Sequence, residues 1–424
     1  MRLRDLHRTV KIRLVEQLFN AMVSNMIFPF LLLYFSQQFG AKWTGVLYLS
    51  TVMVGLISNL YGGACSDRYG RRRVMIWSES IRLGAYSLML VAISPWIDNP
   101  ILVFVGALVS NACGGFSRPA GDAMIVDVST PEDRKLIYSL DYAFWNGALF
   151  IGGIIGGFFF EEHRFEMIAC LTVMSLISLL LLVYFIEETH VPSKSLAPMP
   201  KMLRQLVLNV KVVRHDTLFR FFFFASLFEL SVQMIGLNYS GVRFVEEIHD
   251  TVLLHWNSFT YTVDGYKMFG LLNTGNTVLV LAFGTIVTML TRRFSDRGVL
   301  TWGILIYTIG FAIICTSNQP WVLLVAMAIV VFGELAYVPV KQSLLASIIP
   351  SENRGAYMGV NSLVTRGATG IGYLGVTIGA FLAPVAVAVF LMVIGLIGIY
   401  LYRKVTTGKS QDLDEQNIGI VEAN

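Results

Sequence analysis

The feature that most constrains this chain is a series of long apolar runs separated by short polar turns. Twelve runs occur, at about 14–38, 43–64, 74–94, 99–124, 136–160, 164–186, 217–244, 266–291, 299–317, 320–348, 354–381 and 383–402. Each is close to the roughly 20 residues that an α-helix needs to cross a bilayer. Lipid offers the backbone no hydrogen bonds, so runs of this kind must fold as helices. Composition agrees. Only 14% of residues are charged and the mean hydropathy is +0.64, where a soluble domain carries about 25% charged residues. The expected fold is an all-α membrane protein. The net charge of +4 does not call for a nucleic-acid partner, because the cations are segregated along the chain.

That segregation predicts topology. Basic residues gather at Arg2–Arg13, Arg68–Arg73, Arg134–Lys135, Lys194–Arg220, Arg292–Arg297 and Arg403–Lys409. The alternate loops carry Lys42, Arg164, Arg243 and Lys267 beside acids such as Glu161, Glu162, Glu246 and Glu247. Cations stay on the cytoplasmic side, so both termini are expected there. The N-terminus shows no short apolar core followed by a small-residue cleavage site. Its first helix is expected to be retained.

The longest polar connector, Glu187 to Asp216, divides the runs six and six. The expected organisation is a six-helix bundle over 1–188, a cytoplasmic linker over 189–215, a second bundle over 216–404 and a cytoplasmic tail over 405–424. A shift of 220 residues aligns Pro119 with Pro339, Glu132 with Glu352, Arg134 with Arg354, Gly147 with Gly367, Ala148 with Ala368, Ile151 with Ile371 and Gly152 with Gly372. These matches fall on equivalent runs and predict two pseudo-symmetric halves.

The turn between the second and third runs reads Gly63-Ala64-Cys65-Ser66-Asp67-Arg68-Tyr69-Gly70-Arg71-Arg72-Arg73. Arginines alone would serve topology, but topology requires neither Asp67 nor the glycines. The pattern G-x-x-x-D-R-x-G-R-R-R resembles the signature loop of the major facilitator superfamily. That resemblance implies twelve transmembrane helices in two six-helix bundles, with cargo bound near the midplane between them. In the fifth run, Gly147, Gly152, Gly156 and Gly157 are small residues that let helices approach closely. Their spacing also resembles the superfamily's antiporter motif, although Gly153 stands where that motif has proline. An arginine typical of the fourth helix would fall near Ala107 and is absent.

Ionisable residues inside apolar runs are costly and need a reason. Asp141 lies about five residues into the fifth run, Glu229 about twelve into the seventh and Glu334 about fourteen into the tenth. A carboxyl held away from water can exchange a proton near neutral pH or attract a cation. It can equally be paired with a membrane cation such as Arg118, Lys341 or Arg366. Glu79 and Arg82, three apart, are expected to pair locally. Gly121-Asp122 through Asp127, Glu132 through Lys135, Leu140-Asp141-Tyr142 and Gly333-Glu334 through Pro339 together resemble the LmrP type of multidrug/proton antiporter over nearly the whole chain. The resemblance implies that Asp141 and Glu334 are protonation and cation-binding sites. It also implies that Asp67, Gly70, Arg71 and Asp127 form a conformational switch. A third acid of that type would align with Leu237, so Glu229 is the only acid of the seventh run. The implied location is a bacterial plasma membrane.

The expected function is proton-driven export of amphipathic, often cationic, drugs by alternating access, with antibiotic resistance as its consequence. The proton gradient is the energy source and no cofactor is expected. Partners are amphipathic small molecules, protons and membrane lipids, with no nucleic acid and a monomeric state. Phe28, Phe116, Trp145 and Tyr337 are candidates for an apolar wall. One defined metabolite or a lipid is the alternative cargo. An intramembrane enzyme is the distant one: an aspartyl protease needs G-x-G-D, and Pro119-Ala120-Gly121-Asp122 supplies only its end. His249 and His255, in the polar loop from Glu246 to Asp264, match no ligand spacing, so that loop is expected to be solvated and no metal site is expected. The cysteines Cys65, Cys113, Cys170 and Cys315 show no C-x-x-C spacing.

Overall fold

The computed structural model describes residues 7–189, 208, 210–257, 259–291 and 293–422. The helices are α1 (Arg8–Tyr69), α2 (Arg71–Ala92), α3 (Pro100–Asp127), α4 (Pro131–Phe159), α5 (Arg164–Phe185), α6 (Thr217–Glu247), α7 (Gly265–Thr291), α8 (Asp296–Thr316), α9 (Pro320–Ile348), α10 (Arg354–Gly379) and α11 (Pro384–Glu422). Among the described residues, nine helices are long and apolar enough to cross a membrane. The 62 residues of α1 hold the first two expected crossings, kinked at Gly40 (φ 76°, ψ 153°). A turn was expected there. A single glycine at positive φ accomplishes it, because without a Cβ that conformation is accessible. The helices α2 and α10 are more polar but occupy the third and eleventh runs. With α1 counted twice, the fold has twelve crossings.

The chain divides into two compact units. One consists of α1–α5 and Asp264–Thr274 at the start of α7; the other holds α6, the rest of α7 from Gly275, and α8–α11. Residues 190–207 and 209 of the expected linker lie outside the described residues. The expected tail from 405 begins inside α11, whose backbone stays helical to Glu422.

In the first unit α1 packs against α3, α4 and α5, and α2 against α3 and α5. In the second, α6 packs against α10 and α11, and α8 against α9 and α11. The internal repeat reappears in these packings. Pro119 lies inside α3 and Pro339 inside α9. A Cβ at Gly152 would come within 2.9 Å of the Asn25 backbone on α1, and one at Gly372 within 2.9 Å of the Met234 backbone on α6. Each unit thus brings its fifth run against its first through a glycine.

Three of the four expected packing glycines make close approaches. Besides Gly152, a Cβ at Gly156 would meet the Met26 carbonyl at 2.5 Å, and one at Gly157 would meet the Gly270 Cα at 2.7 Å. Gly147 is the correction: nothing lies within 4 Å of the place its Cβ would take. Gly147 is five residues before Gly152, about 140° round the helix, and so does not share the face that Gly152 and Gly156 present.

The loop after α6 is largely exposed, as expected, and it is folded. It forms an antiparallel hairpin, β1 (Thr251–Trp256) and β2 (Phe259–Val263), with Asn257 at φ 54° in its turn. β-Branched and aromatic residues such as Val252, Trp256, Tyr261 and Val263 suit a pleated, half-exposed surface. His255 Nδ1 is 2.8 Å from Thr260 Oγ1 across the strands. Among the described residues no group of His, Cys, Asp and Glu could hold a metal ion.

Close to Gly157, the α4–α5 turn faces Asp264 and Lys267. Asp264 accepts from the Lys267 backbone N–H at 2.8 Å and pairs with its ammonium at 2.8 Å. Arg164 donates to the Glu161 carbonyl at 3.1 Å and stacks over Tyr34. Partial burial, and secondarily the charges of Asp264 and Glu162, push the Glu161 carboxyl above its ordinary value of 4.5, against the pull of Arg164 and Lys267.

Two outcomes are expected. Gly156→Leu should destabilise the fold by about 1–3 kcal/mol through overpacking, while Gly147→Ala should leave the unfolding midpoint in detergent unchanged; equal midpoints for both variants would refute the packing assignment. Glu161 binds its proton more tightly in the folded arrangement. Its contribution is therefore fully present below its unfolded pKa and lost as pH rises through the folded one. The protection of amides 264–274, relative to their intrinsic exchange rate at each pH, should be greater at pH 4 than at pH 7, and Glu161→Gln should remove that difference.

Candidate functional site

The basic turn is built from the ends of three helices. Ser66 accepts at its carbonyl from the Gly70 N–H at 3.1 Å, closing α1, and Gly70 at φ 96° redirects the chain into α2. α2 has no side-chain cap of its own residues. Glu188 supplies one from the far end of the unit, accepting from the N–H of Arg71 at 2.8 Å and of Arg72 at 3.2 Å. A carboxylate at a helix N-terminus satisfies orphan donors and opposes the helix dipole. The Arg71 guanidinium pairs with Asp127, the last residue of α3, and donates to the Ala123 carbonyl at 2.6 Å. Thr189 donates to the same carboxylate at 3.0 Å.

Two carboxylates around one guanidinium were expected, Asp67 and Asp127. Asp127 is in contact. Asp67 is exposed and acts on Arg71 electrostatically, without an ion pair among the described residues. Glu188 is a further carboxylate beside Arg71, bonded to its backbone N–H. Sequence reasoning missed it because 117 residues separate it from Arg71. Its only sequence signal is an acid just past the end of the sixth run.

The other expected acid of this unit, Asp141, lies five residues into the apolar span that begins at Leu136, as its run implied, on a helix that begins earlier. Thr130 and Asp133 form a capping box, and Pro131 begins α4 ahead of the apolar stretch. This places Asp141 ten residues into the helix, about 15 Å along it. Asp141 lines a cavity of about 320 Å³ together with Arg13, Glu16, Arg82, Arg118 and Asp122. Trp145 lies on the same wall. Asp141 makes no ion pair among the described residues, although Asp122 is within electrostatic reach.

Arg13 was read as one of the topology-setting cations. It is instead buried, at 5% exposure. It pairs with Glu16, whose other oxygen accepts from Asn20 at 2.6 Å and Ser178 at 2.8 Å. Its guanidinium lies against Gly121, where a Cβ would collide with it. Polar residues at 13, 16, 17 and 20, one helical face inside an apolar run, were the available signal. Glu79 and Arg82 pair as expected.

In the second unit Glu229 is buried. One oxygen accepts from the Tyr337 hydroxyl and the other pairs with Lys341. Of the cations weighed as partners, Lys341 is the one the fold brings to it. Glu334 lies fourteen residues into α9, about 21 Å along it, and its buried Oε2 has no hydrogen-bond partner among the described residues. The Asn276 side chain on α7 hydrogen-bonds the carboxyl, and Glu229 and Lys341 are its charged neighbours. Among the four candidate wall aromatics, Tyr337 is committed to Glu229 and Phe28 packs on Tyr86 at 6.4 Å. The backbone of Phe116 abuts Gly62, leaving Trp145 as the one among these four on the first unit's cavity.

Removing the charge of Asp127 should loosen the basic turn. Exposed ion pairs contribute about 1 kcal/mol or less, so Asp127→Asn should raise amide exchange at 70–73 by up to about fivefold. Glu188→Gln keeps an acceptor and should raise it less. Exchange unchanged in both would mean that the turn is held by α1–α2 packing alone.

The profile of the Major Facilitator Superfamily matches residues 17–254 and again 252–419. A Na(+), Li(+), K(+)/H(+) antiporter of Planococcus maritimus is 29% identical over 394 residues, 91% of this chain and 90% of that one. The multidrug resistance protein MdtH of Proteus mirabilis (strain HI4320) is 23% identical over 82% of this chain and 81% of that one. Among solved structures, a POT family transporter in complex with 5-aminolevulinic acid superposes with a TM-score of 0.69 at 16% identity, covering 94% of this chain and 97% of that one; the likeness is one of fold. With twelve crossings, a basic signature turn and a profile match spanning both units, the chain belongs to the major facilitator superfamily and is a multi-pass membrane transporter, not an enzyme.

Proposed function

We propose that this transporter exports amphipathic monocations in exchange for protons across a bacterial plasma membrane, in the manner of the LmrP type of multidrug antiporter. The observation that carries this reading is the buried, unpartnered Oε2 of Glu334 at mid-helix, on a carboxyl whose hydrogen bond from Asn276 leaves that oxygen free. An acid there needs a reason, and its free oxygen is available to a proton or to a cation. Asp141, open to the cavity of the first unit, is the second exchangeable acid. The MdtH similarity supports a drug as cargo. Glu229 contributes through its pairing with Lys341. Asp67, Gly70, Arg71 and Asp127 act as the switch at the cytoplasmic side, where both termini also lie; Glu188 joins them.

A second reading has its own support. The Planococcus maritimus relative is named for monovalent metal cations. A carboxyl that pairs with one positive charge serves Na⁺ or K⁺ by the same electrostatics. The cargo would then be inorganic, with proton exchange unchanged.

Transport in proteoliposomes under an imposed pH gradient separates the two. A lipophilic monocation should accumulate against its gradient; accumulation of Na⁺ or K⁺ with exclusion of the lipophilic probe would favour the second reading. In either case Glu334→Gln should abolish gradient-driven accumulation, a loss of about tenfold per pH unit for one proton. Asp141→Asn should flatten the pH dependence of transport. Full active transport by Glu334→Gln would sink this assignment.

A further inference from the structure

Glu334, Tyr337 and Lys341 are spaced three, four and seven apart on α9 and share one face. Glu229 of α6 lies among them, 1% exposed. Both of its oxygens are in use, one by the Tyr337 hydroxyl and one by the Lys341 ammonium. Tyr307 from α8 and Tyr402 from α11 are also within electrostatic reach, and the Tyr402 hydroxyl is held 2.8 Å from Ser226. The cluster described by these contacts holds two acids, one lysine and three tyrosines.

Lys341 has a second aspect. Its side chain is 22% exposed and lines a cavity of about 610 Å³ among α6, α9 and α10, along with Ser226, Gln342 and Arg354. One end of the lysine thus neutralises a buried carboxylate while its flank faces open space. A lysine is a point charge on a flexible stem, not a rigid fork, so it can leave one carboxylate and return to it.

We infer that Lys341 is a tethered counter-cation: it occupies Glu229, leaves Glu334 as the one acid open to exchange in this unit, and so sets how much positive charge the carrier accepts per cycle. This rests on the proposed role of Glu334. Removing one partner of a buried pair leaves an uncompensated charge that is costly by several kcal/mol. Without Lys341, Glu229 must be neutralised by a proton or by a cation from the cavity. The unit then has two exchangeable acids. It admits a dication, or it carries one more proton with each monocation.

The test uses the full chain in proteoliposomes, with the membrane potential clamped and a pH gradient imposed. The probes are a lipophilic monocation and a lipophilic dication. Lys341→Gln should steepen the limiting accumulation of the monocation by about tenfold per pH unit, one proton's worth, and should begin to accumulate the dication. Adding Glu229→Gln to that variant should return the gradient dependence to the wild-type slope, whatever the rate. A purely structural lysine predicts a lower rate with an unchanged slope in Lys341→Gln, and that result would overturn the inference. So would a steeper slope that persists in the double variant. If Lys341→Gln does not fold, Lys341→Met, which keeps the stem and removes the charge, takes its place: a slope steeper by one proton supports the assignment, and the wild-type slope overturns it. Failure of the underlying reading shows separately, as gradient-driven accumulation surviving in Glu334→Gln with Lys341 intact.

Discussion

The constraint on which the structure depends is that an ionised side chain in an apolar span must be neutralised within the protein. Arg13 pairs with Glu16, Glu79 with Arg82 and Glu229 with Lys341. Arg243, 4% exposed, pairs with Glu247 and donates to the Ile314 and Ser317 carbonyls. These pairs differ in what they join. Arg13–Glu16, Glu79–Arg82 and Arg243–Glu247 lie within one helix each, three or four residues apart. They can form as the helix forms and move with it as a rigid part. Glu229–Lys341 and Arg71–Asp127 join different helices. Only such pairs can register a change in helix packing, and both fall among the groups proposed to switch or couple.

How much of this was legible in the sequence follows from range. The twelve runs, the basic turn and the Glu79–Arg82 pair are local patterns, and all three stand in the fold. Asp141 and Glu334 stood out because a lone acid in an apolar run is conspicuous by itself. Lys341 stood out only as one of three possible counter-cations and Glu188 not at all, since each finds its partner more than a hundred positions away. Arg13 was masked by a competing pattern: it closes a basic N-terminal segment, and the positive-inside rule accounts for a cation there without burial. The start of α4 was misjudged for a related reason, although the depth of Asp141 in its apolar span was not. Hydrophobicity begins at 136, but the helix begins where Thr130 and Asp133 cap it. Spans read from hydropathy locate the membrane, whereas caps locate the helix.

Glycine carries a second kind of information that spacing alone does not. Gly152, Gly156 and Gly157 each admit a neighbouring backbone or ring, and Gly147, on the same motif, admits nothing. A small-residue pattern states that a close approach is permitted; the partner decides whether it is used. The partner of Gly157 is Gly270, in the eleven-residue stretch at the start of α7 that packs with the first unit although the rest of α7 belongs to the second. No sequence feature of Asp264–Thr274 announces that allegiance, because it depends on two glycines meeting across more than a hundred residues.

The two units solve the problem of intramembrane charge differently, and that difference bears on coupling. The first opens six charged side chains to one cavity, three basic and three acidic, so that a proton added to Asp141 changes a balanced field. The second concentrates two acids and one lysine, an imbalance of one negative charge, and of the three it is the lysine that lines a larger and more apolar cavity. An unbalanced acid attracts a cation, and an apolar cavity beside the lysine rewards an amphipathic one; a balanced network instead responds to protonation by rearranging its pairs. On the proposed reading, cargo charge is therefore matched in the second unit and proton sensing is shared with the first. The residue that keeps the imbalance at one is Lys341. Without it the second unit would hold two open acids, and its preference for a single positive charge would have no physical basis.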